Sequence, residues 1–181
     1  MESTQFRLLV RDDPFLKQTS CHIINEDELP SIIQRGHLYF VFIPNGKEKE
    51  TDNRIYVLGH WTMIDFVYDL NGRTGSVNYF DPMGARCSAK TWAKLRNTAK
   101  YFRVKTFVNT TCVQKTKYAS VCGPITAYFA LLRARHFTYK TILSRKISRN
   151  FKRNVMIIPD IIASLLPKGS RNLPRFSLDF L

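Results

Sequence analysis

Asn71-Gly72 lies between two strand-like runs, residues 55–69 and 76–80. In that setting an Asn-Gly pair signals a two-residue hairpin turn, because both residues tolerate the positive φ angles the turn requires. A tight hairpin decides which residues of its two strands face each other. With Asn71 and Gly72 at the turn, Asp81 falls opposite Thr62, two residues from His60. Side chains alternate faces along a strand, so His60 and Asp81 project from the same side, roughly 7 Å apart. Asp65 and Asp69 stand at odd offsets from His60 on its own strand and face the other way.

The rest of the chain reads around this hairpin. Residues 26–34 (EDELPSIIQ), acidic first with an early Pro, suit a short helix. Residues 38–44 (LYFVFIP) are an aromatic and β-branched run of the kind that forms a buried strand, and 45–53 (NGKEKETDN) read as a charged loop. Residues 89–101 carry helical spacing at Trp92, Leu95 and Ala99, and 102–108 suit another strand. The best helix covers 122–137, with Ile125, Tyr128, Phe129 and Leu132 as its apolar stripe and Ser120 as N-cap. One more short helix is expected around 160–166. Strands followed by a long helix indicate an α+β fold. A length of 181 residues without a repeat suits one domain, 1–181, with the basic part 138–181 packed on it.

The formal charge of +14 is the outlier of the composition. A charge of that size repels itself in a compact chain and suits a polyanionic partner, DNA first; the competing reading is a merely soluble basic protein. Cys21, Cys87, Cys112 and Cys122 are irregularly spaced, which fits neither a disulfide framework nor a zinc ribbon. No metal site is expected. The opening residues lack a signal-peptide core, and no apolar run approaches the roughly 18 residues of a membrane span. A reducing, intracellular setting and no membrane partner are therefore expected.

Cys122 opens the best helix, where unsatisfied backbone N–H groups and the helix dipole favour a thiolate. Gly123 leaves space for a carbonyl to approach the sulfur, and Pro124 suits a first helical turn. The other three cysteines read as inert. His60 is the candidate base and Asp81 its orienter, while His22 and His37 lack a matching carboxylate pattern and His136 follows Arg135 in a basic helix. Gln114, eight residues before Cys122, is a candidate oxyanion donor beside the Cys122 backbone N–H. Between Lys140 and Arg153 six of the basic residues (Lys140, Arg145, Lys146, Arg149, Lys152, Arg153) meet no acidic one. Most of them recur at helical spacing, which predicts a phosphate-binding face or a solvated basic helix.

The segments VLGHWTMIDF, VNYFDPMG and VQKTKYASVCGPITAYFAL together resemble the adenain-like cysteine proteases, the group that also holds the SUMO-deconjugating enzymes. The resemblance covers about residues 35–135. It implies a small papain-like fold with a mixed central sheet and the nucleophile at the N-terminus of a buried helix. His60 would be the general base, Asp81 its partner, Gln114 the oxyanion donor and Cys122 the nucleophile, with Trp61 and Gly123 flanking the site. It implies a viral endopeptidase that cleaves virion precursor proteins during maturation, acting as a monomer in the host nucleus and the virion. No cofactor is needed for the chemistry, and DNA and a peptide are the candidate activators. The alternatives are a SUMO or ubiquitin-like deconjugating isopeptidase and a non-catalytic DNA-binding virion protein.

Overall fold

Five strands make one mixed sheet, in the order β1-β2-β3-β4-β5 (Ser20–Asn25, His37–Thr51, Arg54–Asp65, Ser76–Phe80, Lys105–Val108). The computed structural model describes residues 1–51, 54–68, 75–115, 121–148 and 150–171, with the backbone alone for 48–51 and 54–57. β2, β3 and β4 pair antiparallel, while β1 and β5 add to either edge in parallel. Both faces of the sheet are covered, as parallel edges require. Alternate residues separate the two layers. Phe40, Trp61, Met63 and Phe80 join the helices α1 (Ser3–Asp12), α2 (Pro14–Gln18) and α4 (Cys122–Ala134) on one side. Tyr39, Val41, Ile64, Val77 and Tyr79 pack on the other, where Leu95 belongs to α3 (Ala89–Phe102). The Phe80 and Phe129 rings stack at 3.8 Å between centroids, fastening α4 to the sheet. Burying each such side chain stabilises the fold by about 1.5–3 kcal/mol.

The expected α+β class holds, and several expected elements change. Residues 26–34 are not a helix: a single 3-10 turn, Glu26–Glu28, is followed by irregular chain that drops Leu29 and Ile33 into the core. The Ile33 N–H donates to Thr98 Oγ1 at 2.9 Å, so tertiary contacts hold this segment open. Residues 45–51 are not a loop. They continue β2 past a bulge between Pro44 and Lys47 and pair with β3 out to Thr51 opposite Arg54. Backbone pairing holds this stretch in the sheet whatever its side chains, which is why its polar composition misleads.

Helix α4 has no one-sided stripe. Every residue of it is buried except Tyr128, because α2 and α6 (Phe151–Leu165) cover what the sheet does not. It stops at Ala134 rather than 137 because His136 turns left-handed, at φ +63, and the Phe137 N–H donates back to the Leu132 carbonyl at 3.1 Å. Its N-cap is Val121, which supplies no side-chain hydrogen bond. Ser120, the expected cap, lies outside the described residues, as do the Asn71-Gly72 turn, Asp69 and Arg149. Helix α6 begins nine residues earlier than the short helix expected at 160–166, and it accommodates Pro159 in its interior. Among the described residues no helix is long and apolar enough to cross a membrane.

Candidate active site

The β3–β4 ladder has the register the hairpin predicts. Met63 faces Phe80, Ile64 faces Tyr79 and Asp65 faces Asn78, so one further step sets Thr62 against Asp81. His60 and Asp81 accordingly meet, with Nε2 of the imidazole 2.9 Å from Asp81 Oδ1. The carboxylate is buried and the imidazole is 21% exposed. Asp81 opens a turn in which the Gly84 N–H donates to its carbonyl at 2.9 Å and the Met83 N–H to its Oδ1 at 2.6 Å. Gly84 takes φ +69, and a Cβ there would stand 2.8 Å from the Cys112 nitrogen, so both conformation and space demand glycine.

Cys122 is the first residue of α4 and is 5% exposed. Using Nε2 for Asp81 leaves Nδ1 of His60 for this thiol, and the two groups shift each other. Burial alone lowers the His60 pKa, but hydrogen bonds to Asp81 and Cys122 and their negative charges outweigh it and raise the pKa to about 9. Burial of Cys122 opposes ionisation. The His60 hydrogen bond and charge, the Trp61 backbone and the Met1 ammonium outweigh that, and the thiol lies below its ordinary value. Opposite shifts on touching groups favour a thiolate–imidazolium pair. Thr126 Oγ1 donates to the Trp61 carbonyl at 3.1 Å, which holds the head of α4 to the strand that carries His60.

Trp61 does more than flank the site. It is buried, packs against Phe6 and Phe42 with centroids 4.5 and 5.0 Å away, and donates from Nε1 to the Met1 carbonyl at 3.0 Å. Met1 therefore lies beside Cys122, and a Cβ on Gly123 would come 2.5 Å from the Met1 Cβ. Nothing in the sequence signals this contact.

Gln114 is fully buried. Its loop is held by the Pro82 carbonyl, which accepts from Val113 N at 2.8 Å and Gln114 N at 2.9 Å. The Cys112 thiol donates to the Gln114 carbonyl at 3.0 Å. Val113 belongs to the same apolar cluster as Val121 and Cys122, so the loop reaches the head of α4. Residues 116–120, between Gln114 and that head, lie outside the described residues.

The remaining candidates have other partners. His22 Nε2 sits 2.8 Å from His37 Nδ1 in a stack with Tyr39, and His136 Nδ1 meets the Tyr68 carbonyl at 2.9 Å. Asp65 faces away from His60, as its offset predicts, and binds Arg133. All four cysteines are free, and burial pushes the Cys21 thiol up to about 12.

The cations do not share one helical face. Lys140 lies in the short helix α5 (Tyr139–Thr141), Arg145 and Lys146 end a π-helical turn, and Lys152 and Arg153 open α6. Ile147 is extended and buried, and the Asn150 side chain caps α6 through the Lys152 N–H at 3.0 Å. This break separates the run. Arg145, Lys146 and Arg153 border a groove of about 490 Å³ whose floor includes Tyr128, Ile157 and Ile161.

No protein-family model matches the sequence, and no curated protein matches it. Among solved structures, the chain is similar to the ASFV pS273R protease in selenomethionine form, with a TM-score of 0.43, 17% identity, and 61% of this chain and 39% of that chain covered. A second structure of the ASFV pS273R protease gives a TM-score of 0.47 and 15% identity, covering 74% of this chain and 57% of that one. The chain thus spans between 39% and 57% of the length of the proteins it overlaps.

Proposed function

We propose that this chain is an adenain-like viral cysteine endopeptidase that cleaves virion precursor proteins, working in association with DNA in the host nucleus and the virion. One observation carries the catalytic reading: His60 stands between the Asp81 carboxylate and a thiol at the head of a buried helix, and the two titrating groups shift in opposite directions. That arrangement suits acyl transfer. The Cys122 thiolate attacks the scissile carbonyl, and the carbonyl π electrons move to its oxygen. Gln114 and the Cys122 backbone N–H supply hydrogen bonds to that oxyanion. His60 then protonates the leaving amine as the C–N bond breaks, and Asp81 keeps the imidazole oriented. A water molecule, deprotonated by His60, attacks the thioester carbonyl; as the oxyanion collapses the C–S bond breaks, the acid leaves, and the Cys122 thiolate and His60 imidazolium are restored.

Purified wild-type protein is expected to cleave precursor-derived peptides, and Cys122→Ala to reduce turnover by about 10⁶-fold. Hydrolysis by Cys122→Ala protein at the wild-type rate would sink the mechanism. Preferential cleavage of diglycine-terminated modifiers would shift the reading to a deconjugating isopeptidase. DNA association is supported by the net charge of +14 and by exposed Lys140, Arg145, Lys146, Lys152 and Arg153.

A further inference from the structure

We propose that Asn109 is a positioning residue that couples the His60–Asp81 pair to the Gln114 loop; this rests on the acyl-transfer reading above. Asn109 follows β5 and is 1% exposed. Both ends of its amide are used. Oδ1 accepts from the Asp81 N–H at 3.0 Å, and Nδ2 donates to the Thr111 carbonyl at 2.8 Å. Its own N–H donates to the Tyr79 carbonyl at 3.1 Å, which ties its backbone to β4.

These bonds join two segments that only the fold brings together. The turn from Asp81 to Gly84 holds the base's partner, and residues 109–114 hold the oxyanion donor. Pro82 adds the second link through the Val113 and Gln114 N–H groups, and Gly84 packs on the Cys112 nitrogen. The residue type is specific. One neighbour is a backbone donor and the other a backbone acceptor, so a carboxamide satisfies both, a carboxylate only the first and an aliphatic side chain neither. Loss of the amide strands a buried Asp81 N–H and frees Thr111, and small displacements of a donor loop carry large rate penalties. Asn154 closes the loop from the other side, donating from Nδ2 to the Val113 carbonyl at 3.0 Å.

Two readouts separate positioning from mere stability: steady-state kinetics, and the pH profile of Cys122 alkylation by iodoacetamide. Asn109→Ala is expected to lower kcat about 100-fold with KM changed less than about threefold, since oxyanion donors act on the transition state. It also moves the alkaline limb of the alkylation profile below the His60 value of about 9, which the Asp81 and Cys122 interactions together raise. Asn109→Asp, of the same size, keeps the acceptor and loses the donor, so kcat falls at least about tenfold while the limb does not move down. If Asn109→Ala fails to fold, Asn109→Asp decides, and kcat within about threefold of wild type overturns the proposal. A folded Asn109→Ala protein with wild-type kcat and an unmoved limb overturns it as well. Alkylation needs no substrate, so absent wild-type turnover overturns the protease reading while the limb still decides the role of Asn109.

Discussion

Two buried aspartates lie on the same hairpin and meet different fates. Asp81 pairs with His60 at one end of the ladder, and Asp65 pairs with Arg133 at the other, with Nη2 and Oδ1 2.9 Å apart. Tyr139 and Asn78 complete the shell around Asp65 at 2.8 and 3.0 Å. An arginine stays protonated at every working pH, so this second pair only fastens the far end of α4 to the sheet. A histidine beside a thiol changes charge within the accessible range, so in the proposed mechanism the same carboxylate chemistry becomes a control on reactivity. The lesson is that burial and pairing do not separate an anchor from a catalytic group. What separates them is whether the partner can give up a proton to something that reacts.

The largest expected difference between the two ends is kinetic. Asp81→Asn leaves the volume intact and is expected to lower kcat by about 10⁴-fold, because the imidazolium loses its counter-charge and orientation. Asp65→Ala should instead lower stability by about 3–5 kcal/mol, leaving Arg133 buried without its carboxylate. Thermal unfolding measures that loss, and the alkylation profile of folded protein stays that of wild type. A large kcat loss with an unaltered melting curve in Asp65→Ala would erase the distinction.

The pH dependence sharpens the comparison next. The His60 pKa is raised from 6.5 to about 9, so its contribution to stability is fully present below 6.5 and fades as pH rises through 9. Turnover should fall over the same alkaline range, and His60→Ala should remove the alkaline limb of Cys122 alkylation. A free-thiol profile in wild-type protein would contradict the ion pair. Away from both ends, Lys152→Glu with Arg153→Glu should reduce the salt slope of the proposed DNA binding by about one for each phosphate no longer neutralised, with peptide turnover unchanged. The smallest effect belongs to Trp61→Phe, which keeps an aromatic ring and removes the indole N–H that donates to the Met1 carbonyl. Loss of that bond, worth about 1 kcal/mol, should speed Cys122 alkylation by roughly fivefold.

Most of the site was legible because its constraints are local. An Asn-Gly signal sets a register, and a Cys-Gly-Pro start sets a helix end; neither needs knowledge of distant residues. Gln114 was legible as a candidate, but its support from Pro82 and Asn154 was not, because those bonds span 32 and 41 residues of chain. Asn109 carried no local signal for the same reason. The charged stretch at 45–51 was misread because backbone pairing needs no apolar pattern in the strand that makes it. The basic run was misread because charge spacing says nothing about helix continuity, which Ile147, Ser148 and Asn150 interrupt by burial and capping.

By itself the sequence determined which side chains share a strand face and where α4 starts, since strand alternation and the Cys122-Gly123-Pro124 opening act over a few residues. The tertiary structure decided what those residues touch. It set His60 between a carboxylate and a thiol, laid Met1 beside Cys122, and bound the Asp81 turn to the Gln114 loop through Asn109. The reason is physical: a buried polar group must find a partner wherever packing places one, and packing is a property of the whole chain.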